Sequence, residues 1–327
     1  MGEGLDVTLL PGAVSPLVAA EVAGEPRRRR VLAAFPTCLY LELGAHERVL
    51  AVLASDAVAL PIGIRLARPS TDVRWGVEAG DHVVVGEGRV HLPRADVVAA
   101  RLQRPARVRP APRGSHGDDA LPEPGVLGEL AHDLTAAALA GRAVDQGVRG
   151  LVGVGRGLTP SGDDALCGVL LTLAAVDLAE SRAALSSVRT AVRGVLPSTT
   201  SLSAALLVAA GTGYAVPDVA RLVTLVAGAG STNRHEEPEA GFPGGSAGSV
   251  RPVDPPDGTI LRLVDRVLAI GHSSGRDLLS GVSGALRAAD AHLSTARPRP
   301  DDDHVRNPPT QPRPQPRPQP HEGAHRG

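Results

Sequence analysis

The chain has 327 residues with 34 basic and 35 acidic side chains, so its formal net charge at pH 7 is −1. Hydrophobic residues make up 43% of the sequence, but aromatic residues make up only 2%. Proteins that bind nucleic acids or membrane surfaces carry a basic excess, and proteins that stack bases carry more aromatic rings. We therefore expect neither a nucleic-acid nor a membrane partner, and a core of leucine, valine, alanine and isoleucine.

Lysine is absent from the sequence, so every basic side chain is an arginine. This excludes a Walker-A phosphate-binding lysine, a pyridoxal-phosphate Schiff base and a serine–lysine dyad. The two cysteines, Cys38 and Cys167, form no metal-ligand pattern and lie in apolar segments, which is typical of reduced thiols in a cytoplasmic protein. No apolar run is long enough to cross a bilayer. The sequence therefore predicts a cytoplasmic location.

Short apolar or alternating runs, separated by glycine, proline and aspartate, fill the first third of the chain. Examples are LYLEL, VLAVL, DHVVVGEG and RVHLP, and the string VVVGEGRVHL is typical of a hairpin with a tight turn. These patterns predict a β-rich N-terminal domain over residues 1–103, folded as a small β-barrel or sandwich.

The residue pattern of the chain changes after residue 103. Residues 104–125 are rich in proline and arginine, and we interpret them as an unstructured linker. Apolar residues then recur at helical spacing, which predicts an Ala/Leu-rich helical domain over residues 126–292. Residues 229–258 predict a mobile loop within this domain, and residues 293–327, with PRPQPRPQP, predict a disordered tail. The predicted fold class is therefore α+β.

Three segments of the helical domain place glycine, serine and threonine directly before an apolar run. The first, LVGVGRGLTPSGDDALCGVLL, spans residues 151–171. Its glycines, Gly153, Gly155 and Gly157, allow positive φ and a close approach of the backbone to a ligand. A helix start offers free N–H groups and the positive end of a dipole, which favours an anion. The loop therefore predicts a phosphate or carboxylate site that needs no lysine.

Two interpretations of the acidic residues after this loop stay open. The spacing from Ser161 to Asp164 fits a capping box, in which both side chains only satisfy the start of the helix. Capping does not account for the three glycines, for Thr159 or for the second carboxylate, Asp163. Adjacent carboxylates also suit Mg²⁺ held through a phosphate ligand, or a general base. Under the functional interpretation, alanine at either aspartate costs activity more than stability.

The glycine pattern differs from the dinucleotide fingerprint G-x-G-x-x-G, because residue 158 is leucine and no β/α alternation follows. The second segment, LPSTTSLSAALLVAA at 196–210, carries hydroxyls that suit ordinary helix capping. The third, IGHSSGRDLLSGVSGAL at 270–286, carries His272, which is a general base, an anion donor or a structural side chain. A serine-hydrolase triad is poorly supported by the sequence. The recurrence suggests that the three segments converge on one anionic ligand.

The three segments, in this order, resemble the motifs of the AllH family. The matching strings are G-x-G-x-G-L-T-P-S-G-D-D at 153–164, T-T-x-L-S at 199–203 and G-H-S-S-G-x-D at 271–277. The resemblance covers the helical half well. In the β-rich half it extends only to the general pattern of short apolar runs. It implies a subunit of the oxamate carbamoyltransferase of anaerobic allantoin breakdown, which exchanges oxalurate and phosphate with oxamate and carbamoyl phosphate. It also implies FdrA-like and AllG-like partner subunits and small anionic substrates.

The loop chemistry and the resemblance together select the candidate site residues. The candidate catalytic residues are Asp163, Asp164 and His272. Arg156 stands where a small residue or proline is expected in some relatives, so it is either an extra anion ligand or a sign of a different substrate. No cofactor is firmly implied, although Mg²⁺ is compatible with the paired carboxylates. The candidates for binding a substrate or anion are Gly155, Arg156, Gly157, Thr159, Ser161, Thr199, Thr200, Ser274, Gly275 and Asp277.

Two other functions stay open from the sequence. In the first, the chain is a non-catalytic subunit whose motifs bind a ligand or a partner while the chemistry lies in another chain. In the second, it is a stand-alone small-molecule hydrolase. Co-purification without turnover by the isolated chain favours the first function, and turnover without partners favours the second.

Overall fold

The N-terminal part of the chain folds into a closed eight-stranded β-barrel. The structure is a computed structural model that describes residues 8–111, 120–228 and 258–296. The barrel order is β1-β5-β4-β3-β2-β6-β7-β8, and β1 closes the barrel by pairing in parallel with β8. This confirms the predicted β-barrel. The strands are β1 (Thr8–Val14), β2 (Arg27–Ala34), β3 (Cys38–Glu42), β4 (Val49–Leu53), β5 (Gly63–Leu66), β6 (His82–Gly86), β7 (Arg89–His91) and β8 (Ala95–Leu102).

Helices follow the barrel, and together the two parts give the predicted α+β fold. A short helix, α1 (Ala19–Ala23), lies between the first two strands of the barrel. None of the helices in the described ranges is long and apolar enough to cross a membrane. The remaining helices are α2 (Gly125–Leu139), α3 (Asp145–Arg149), α4 (Ser161–Ala175), α5 (Ser181–Val195), α6 (Ser201–Gly211), α7 (Pro217–Gly228), α8 (Thr259–Leu268) and α9 (Ser274–Ala296).

Helix α4 lies at the centre of the helical part. Every residue from 162 to 173 is buried, because this helix is apolar on nearly all sides and its neighbours cover each of them. Helix α6 joins the two halves, since Leu202, Ala205 and Ala209 belong to the apolar core of the barrel while Ala204 and Leu207 belong to that of the helices. The barrel and the helical part therefore pack against each other through α6.

Glycines let α9 pack against α4 and α2 at backbone distance. A Cβ atom built on Gly281 would lie 1.9 Å from the carbonyl oxygen of Ala165, and one on Gly168 would lie 2.4 Å from that of Leu278. A Cβ atom on Gly284 would lie 2.1 Å from the carbonyl oxygen of Gly128 in α2. These contacts leave no room for a methyl group on either side of α9. The position of α9, and of the third motif at its start, depends on them.

Gly281→Ala is expected to lower the free energy of unfolding by about 1–3 kcal/mol, because the methyl group forces the backbones of α9 and α4 apart. Gly194→Ala in α5 is the matched control, since a Cβ atom there meets nothing within 4 Å. Alanine has the higher helix propensity, so the control should be unchanged or up to about 1 kcal/mol more stable. Urea unfolding of both variants measures the difference. Equal stability of the two would contradict this account of the helix contacts.

The segment after the barrel differs in part from the expected unstructured linker. Arg107 forms a β-bridge with Tyr214, and Ala111 forms one with Val176. Val108 is buried in the helical core, which holds this proline- and arginine-rich segment in place. Residues 112–119, 229–257 and 297–327 lie outside the described residues, and with them most of the expected mobile loop and tail. Helix α9 continues to residue 296, four residues into the expected tail.

Candidate functional site

The glycine-rich loop connects α3 to α4 and uses positive φ at all three glycines, as the sequence suggests. The φ angles are 72° at Gly153, 117° at Gly155 and 97° at Gly157. A Cβ atom on Gly155 would lie 2.7 Å from the backbone nitrogen of Ser161. The loop therefore folds back tightly onto the start of α4, which only glycine permits at this position.

The predicted capping box at the start of α4 does not form. The helix begins at Ser161, Pro160 occupies the cap position, and no side chain caps the helix. The carbonyl of Pro160 instead accepts the backbone N–H groups of Asp163 and Asp164 at 2.9 and 3.2 Å. Because proline cannot cap with a side chain, the serine and the two aspartates at the helix start are left for other contacts.

Asp163 ties the first motif to the second. Its Oδ1 atom accepts the backbone N–H of Gly153 at 2.9 Å, and its Oδ2 atom accepts the hydroxyl of Thr199. Asp163 is only 1% exposed. Both carboxylate oxygens are thus engaged in holding the glycine loop against the segment before α6.

The second motif caps α6, as its sequence suggests, and also contacts the glycine loop. The hydroxyl oxygen of Thr200 accepts the backbone N–H of Ser203 at 3.1 Å, which caps the helix. The same hydroxyl donates to the carbonyl of Leu158 at 2.5 Å. One threonine side chain therefore satisfies the helix start and binds the first motif.

A histidine of the barrel, His46, was missed by the sequence analysis. Its Nε2 atom lies 2.9 Å from the carbonyl oxygen of Thr199, and its Nδ1 atom lies 3.2 Å from the hydroxyl oxygen of Ser201. His46 lies between β3 and β4, far from the motifs along the chain, and no motif surrounds it. No local signal could have revealed this contact, which the three-dimensional fold alone creates.

Asp164 joins the first motif to the third and is the most perturbed acid of the site. It is 8% exposed, and burial raises its pKa to about 7, with smaller contributions from the charges of Asp277 and Asp163. The hydroxyls of Ser274 and Thr159 oppose this rise in pKa. The Oγ1 atom of Thr159 and the Oγ atom of Ser274 are 2.9 Å apart. The Oδ2 atom of Asp164 is buried and has no hydrogen-bond partner among the described residues. Asp164 is therefore a buried carboxyl with a raised pKa, in contact with residues of two motifs.

The third motif forms the start of α9. Ser274 is the first residue of the helix, and a Cβ atom on Gly275 would lie 1.8 Å from the carbonyl oxygen of Val267, so glycine lets α8 and α9 approach closely. His272 is exposed just before the helix. The Oδ2 atom of Asp277 is buried without a partner among the described residues. This motif thus contributes a hydroxyl and a close helix contact to the site.

A cavity of about 630 Å³ opens beside Asp164, between the barrel and the helices. The candidate site residues divide into those that line it and those that do not. The candidate residues that line the cavity are Arg156, Gly157, Thr159, Asp164, His272, Ser274 and Gly275. The candidate residues that do not line the cavity are Gly155, Ser161, Asp163, Thr199, Thr200 and Asp277.

Several cavity residues were not predicted from the sequence. The barrel supplies Phe35, Tyr40 and Leu60, and α4 supplies Cys167. Burial raises the pKa of the Cys167 thiol well above its usual range, and the carboxylate of Asp164 adds to the effect. Because a nucleophilic cysteine needs a thiolate, Cys167 is a neutral wall residue at physiological pH.

A second and larger groove, of about 1320 Å³, holds none of the candidate site residues. It lies between residues 102–110 and the helices α5 and α7. The wall of this groove contains six arginines and one acidic residue, Asp177. The positive charge of the groove therefore favours an anionic occupant. These arginines are Arg104, Arg107, Arg109, Arg182, Arg189 and Arg221.

Metal ligation has little support in the described residues. No group of three or more histidine, cysteine, aspartate or glutamate side chains within residues 8–111, 120–228 and 258–296 is arranged to hold a metal ion. Both oxygens of Asp163 already accept hydrogen bonds. Mg²⁺ therefore stays a prediction from the paired carboxylates alone.

Comparison with known proteins gives one match. No curated protein and no solved structure matches the chain. One family model covers residues 151–240, a stretch that begins just before the glycine loop and includes α4, the second motif and α6. This confirms, over that stretch, the resemblance drawn from the motifs. Residues 151–240 match the family described as oxamate carbamoyltransferase subunit AllH.

Proposed function

We propose that this chain is a subunit of a carbamoyltransferase complex of the oxamate type, and that the cavity beside Asp164 is its substrate site. The family match supports the first part, because it identifies the stretch carrying the first two motifs. The second part rests on one observation, which is the burial of the Asp164 carboxyl at the wall of the cavity. An aspartate whose pKa is raised to about 7 at the wall of a cavity is suited to donate and accept protons at neutral pH.

In the proposed reaction, oxalurate and phosphate exchange with oxamate and carbamoyl phosphate. A phosphate oxygen forms a bond to the carbamoyl carbon, and the bond from that carbon to the oxamate nitrogen breaks. The nitrogen leaves with the bonding electron pair and takes the proton of Asp164. In the reverse direction, the Asp164 carboxylate accepts the proton from the attacking oxamate nitrogen. A pKa near 7 serves both directions, since neither protonation state is rare.

The anionic groups of such substrates have suitable partners at the polar end of the cavity. Arg156 at the rim offers a guanidinium that pairs with carboxylate or phosphate. Thr159 and Ser274 offer hydroxyls beside Asp164, and Ser274 also begins α9, whose N-terminal dipole favours an anion. A neutral, protonated Asp164 allows an anion to bind next to it, whereas a charged carboxylate would repel it. We propose cytoplasmic FdrA-like and AllG-like chains as the partner subunits and allantoin breakdown as the context.

The test is formation of carbamoyl phosphate from oxalurate and phosphate by the full chain, alone and together with the chains that purify with it. We expect turnover in the complex and its loss in Asp164→Asn. Asp133→Asn is the matched control, because that carboxylate is 80% exposed on α2, far from the motifs along the chain. Full activity of Asp164→Asn would overturn the proposed role of this residue. Hydrolysis by the isolated chain without phosphate would instead support a stand-alone hydrolase.

A further inference from the structure

The cavity beside Asp164 has a small polar end and a large apolar end. Thr159, Asp164 and Ser274 contact one another and define the polar end, and Arg156 and His272 also line the cavity. Both halves of the chain contribute to the apolar end, since the barrel lines one side of it and the helices line the other. Its principal side chains are Phe35, Leu60, Leu171, Leu206, Val219 and Leu278.

The size of the cavity exceeds that of a small anion. Oxamate has about six heavy atoms and fills roughly the space of three to four water molecules, or about 100 Å³. The cavity holds about 630 Å³. Oxamate bound at the polar end would therefore leave most of the apolar end empty, although cavities of this size normally bury drug-sized ligands.

Aromatic rings are concentrated at this cavity. The sequence contains two phenylalanines, two tyrosines and one tryptophan. Three of these five rings, Phe35, Tyr40 and Tyr214, line the cavity. Phe35 and Tyr40 pack edge to face, with their centroids 6.1 Å apart and an interplanar angle of 69°. Most of the few aromatic rings in this chain therefore lie where they would contact a flat or branched hydrocarbon.

The same wall keeps apolar surface in contact with water. Phe35 is 44% exposed and Val58 is 41% exposed, and both line the cavity from the barrel side. Leu206 and Leu278 on the helical side are only partly buried. Because apolar surface in water is unfavourable, a concave patch of this kind is typical of a site that binds an apolar group.

We propose that the substrate of this site carries a hydrocarbon substituent, aromatic or branched and of about six or more carbon atoms, on the amide or ureido group that reaches Asp164. This inference rests on the proposed function and names its substrate class. The polar end binds the carbamoyl or oxamate group, and the apolar end binds the substituent. Burial of a ring of this size corresponds to an affinity about 10- to 100-fold higher than that of the unsubstituted compound.

The experiment measures dissociation constants of the full chain at pH 6 by calorimetry for oxamate, N-benzyloxamate and N-benzylurea. N-benzylurea carries the ring and a carbamoyl group but no carboxylate. We expect N-benzyloxamate to bind at least 10-fold more tightly than oxamate, with a more negative heat-capacity change. Phe35→Ala should reduce this affinity ratio at least threefold. Leu9→Ala should leave the ratio unchanged, because Leu9 is an exposed apolar side chain of the barrel outside the cavity.

The possible outcomes separate this inference from the proposed function. Equal or weaker binding of N-benzyloxamate overturns the inference and leaves oxamate as a ligand of the site. Binding of N-benzylurea alone supports an apolar substituent and overturns the oxamate group as the polar end. Binding of none of the three compounds overturns both proposals.

Discussion

Asp164→Asn is expected to raise the free energy of unfolding at pH 8 by about 4 kcal/mol while it lowers carbamoyl transfer by about 10²- to 10⁴-fold. Burial raises the pKa of Asp164 from 3.8 to about 7 in the folded protein. Between pH 4 and pH 7 the folded state therefore holds a proton that the unfolded state has lost, so stability falls as the pH rises through this window. Above about pH 7 the full destabilisation remains. Asparagine removes it, because its side chain never ionises.

Urea unfolding at pH 5 and at pH 8 tests this expectation. At pH 5 the folded carboxyl is protonated while the unfolded one is largely ionised, so the gain in stability from Asp164→Asn should be less than half of that at pH 8. The exposed control Asp133→Asn should show no gain at pH 8. A gain in stability together with a loss of turnover is the signature of a residue kept for function at a cost in stability. Equal stability of Asp164→Asn and wild type at pH 8 would contradict the raised pKa.

Asp163→Ala is expected to lower the free energy of unfolding by about 2–4 kcal/mol. The substitution leaves the backbone N–H of Gly153 and the hydroxyl of Thr199 without their acceptor in a site where Asp163 itself is buried. Unfolding in urea measures the loss. Thr199→Val removes only one of the two contacts and should cost about 1 kcal/mol. The double variant should then show a coupling energy of about 0.5–3 kcal/mol between the two positions.

This expectation differs from the one drawn from the sequence, in which alanine at either aspartate costs activity more than stability. The structure separates the two acids, since Asp163 uses both oxygens to join two motifs while Asp164 lines the cavity. A stable Asp163→Ala variant that lacks activity would contradict the role of Asp163 in joining the first two motifs. It would instead support a catalytic role for Asp163.

Local patterns were sufficient to predict several elements of the fold. The strings LYLEL and VLAVL predict strands, and β3 and β4 form there. Helical spacing around residues 166–173 predicts α4. Closure of the barrel was not predictable, because it needs the parallel pairing of β1 with β8, whose paired residues are 87 or 88 positions apart in sequence.

The candidate site was predictable in its parts but not in its assembly. Glycines with positive φ and hydroxyls at helix starts are local features, and the sequence contains both. The contact between Thr159 and Ser274 joins residues 115 positions apart, so no spacing rule reveals it. The different roles of Asp163 and Asp164 follow from which neighbours bury each carboxylate. Phe35 and His46 belong to the barrel, where no motif marks them.

Under the proposed function, the carboxyl group that transfers the proton and part of the apolar wall lie in different parts of the chain. The carboxyl group that would move the proton lies on α4, within residues 151–240. Phe35 and Val58, in contrast, lie in connections between barrel strands and are more than 40% exposed. Exposed loop positions accept substitution with little effect on folding. Substitutions in the two barrel loops that carry Phe35 and Val58 could therefore change which substituents the cavity accepts, without any change to Asp164 on α4.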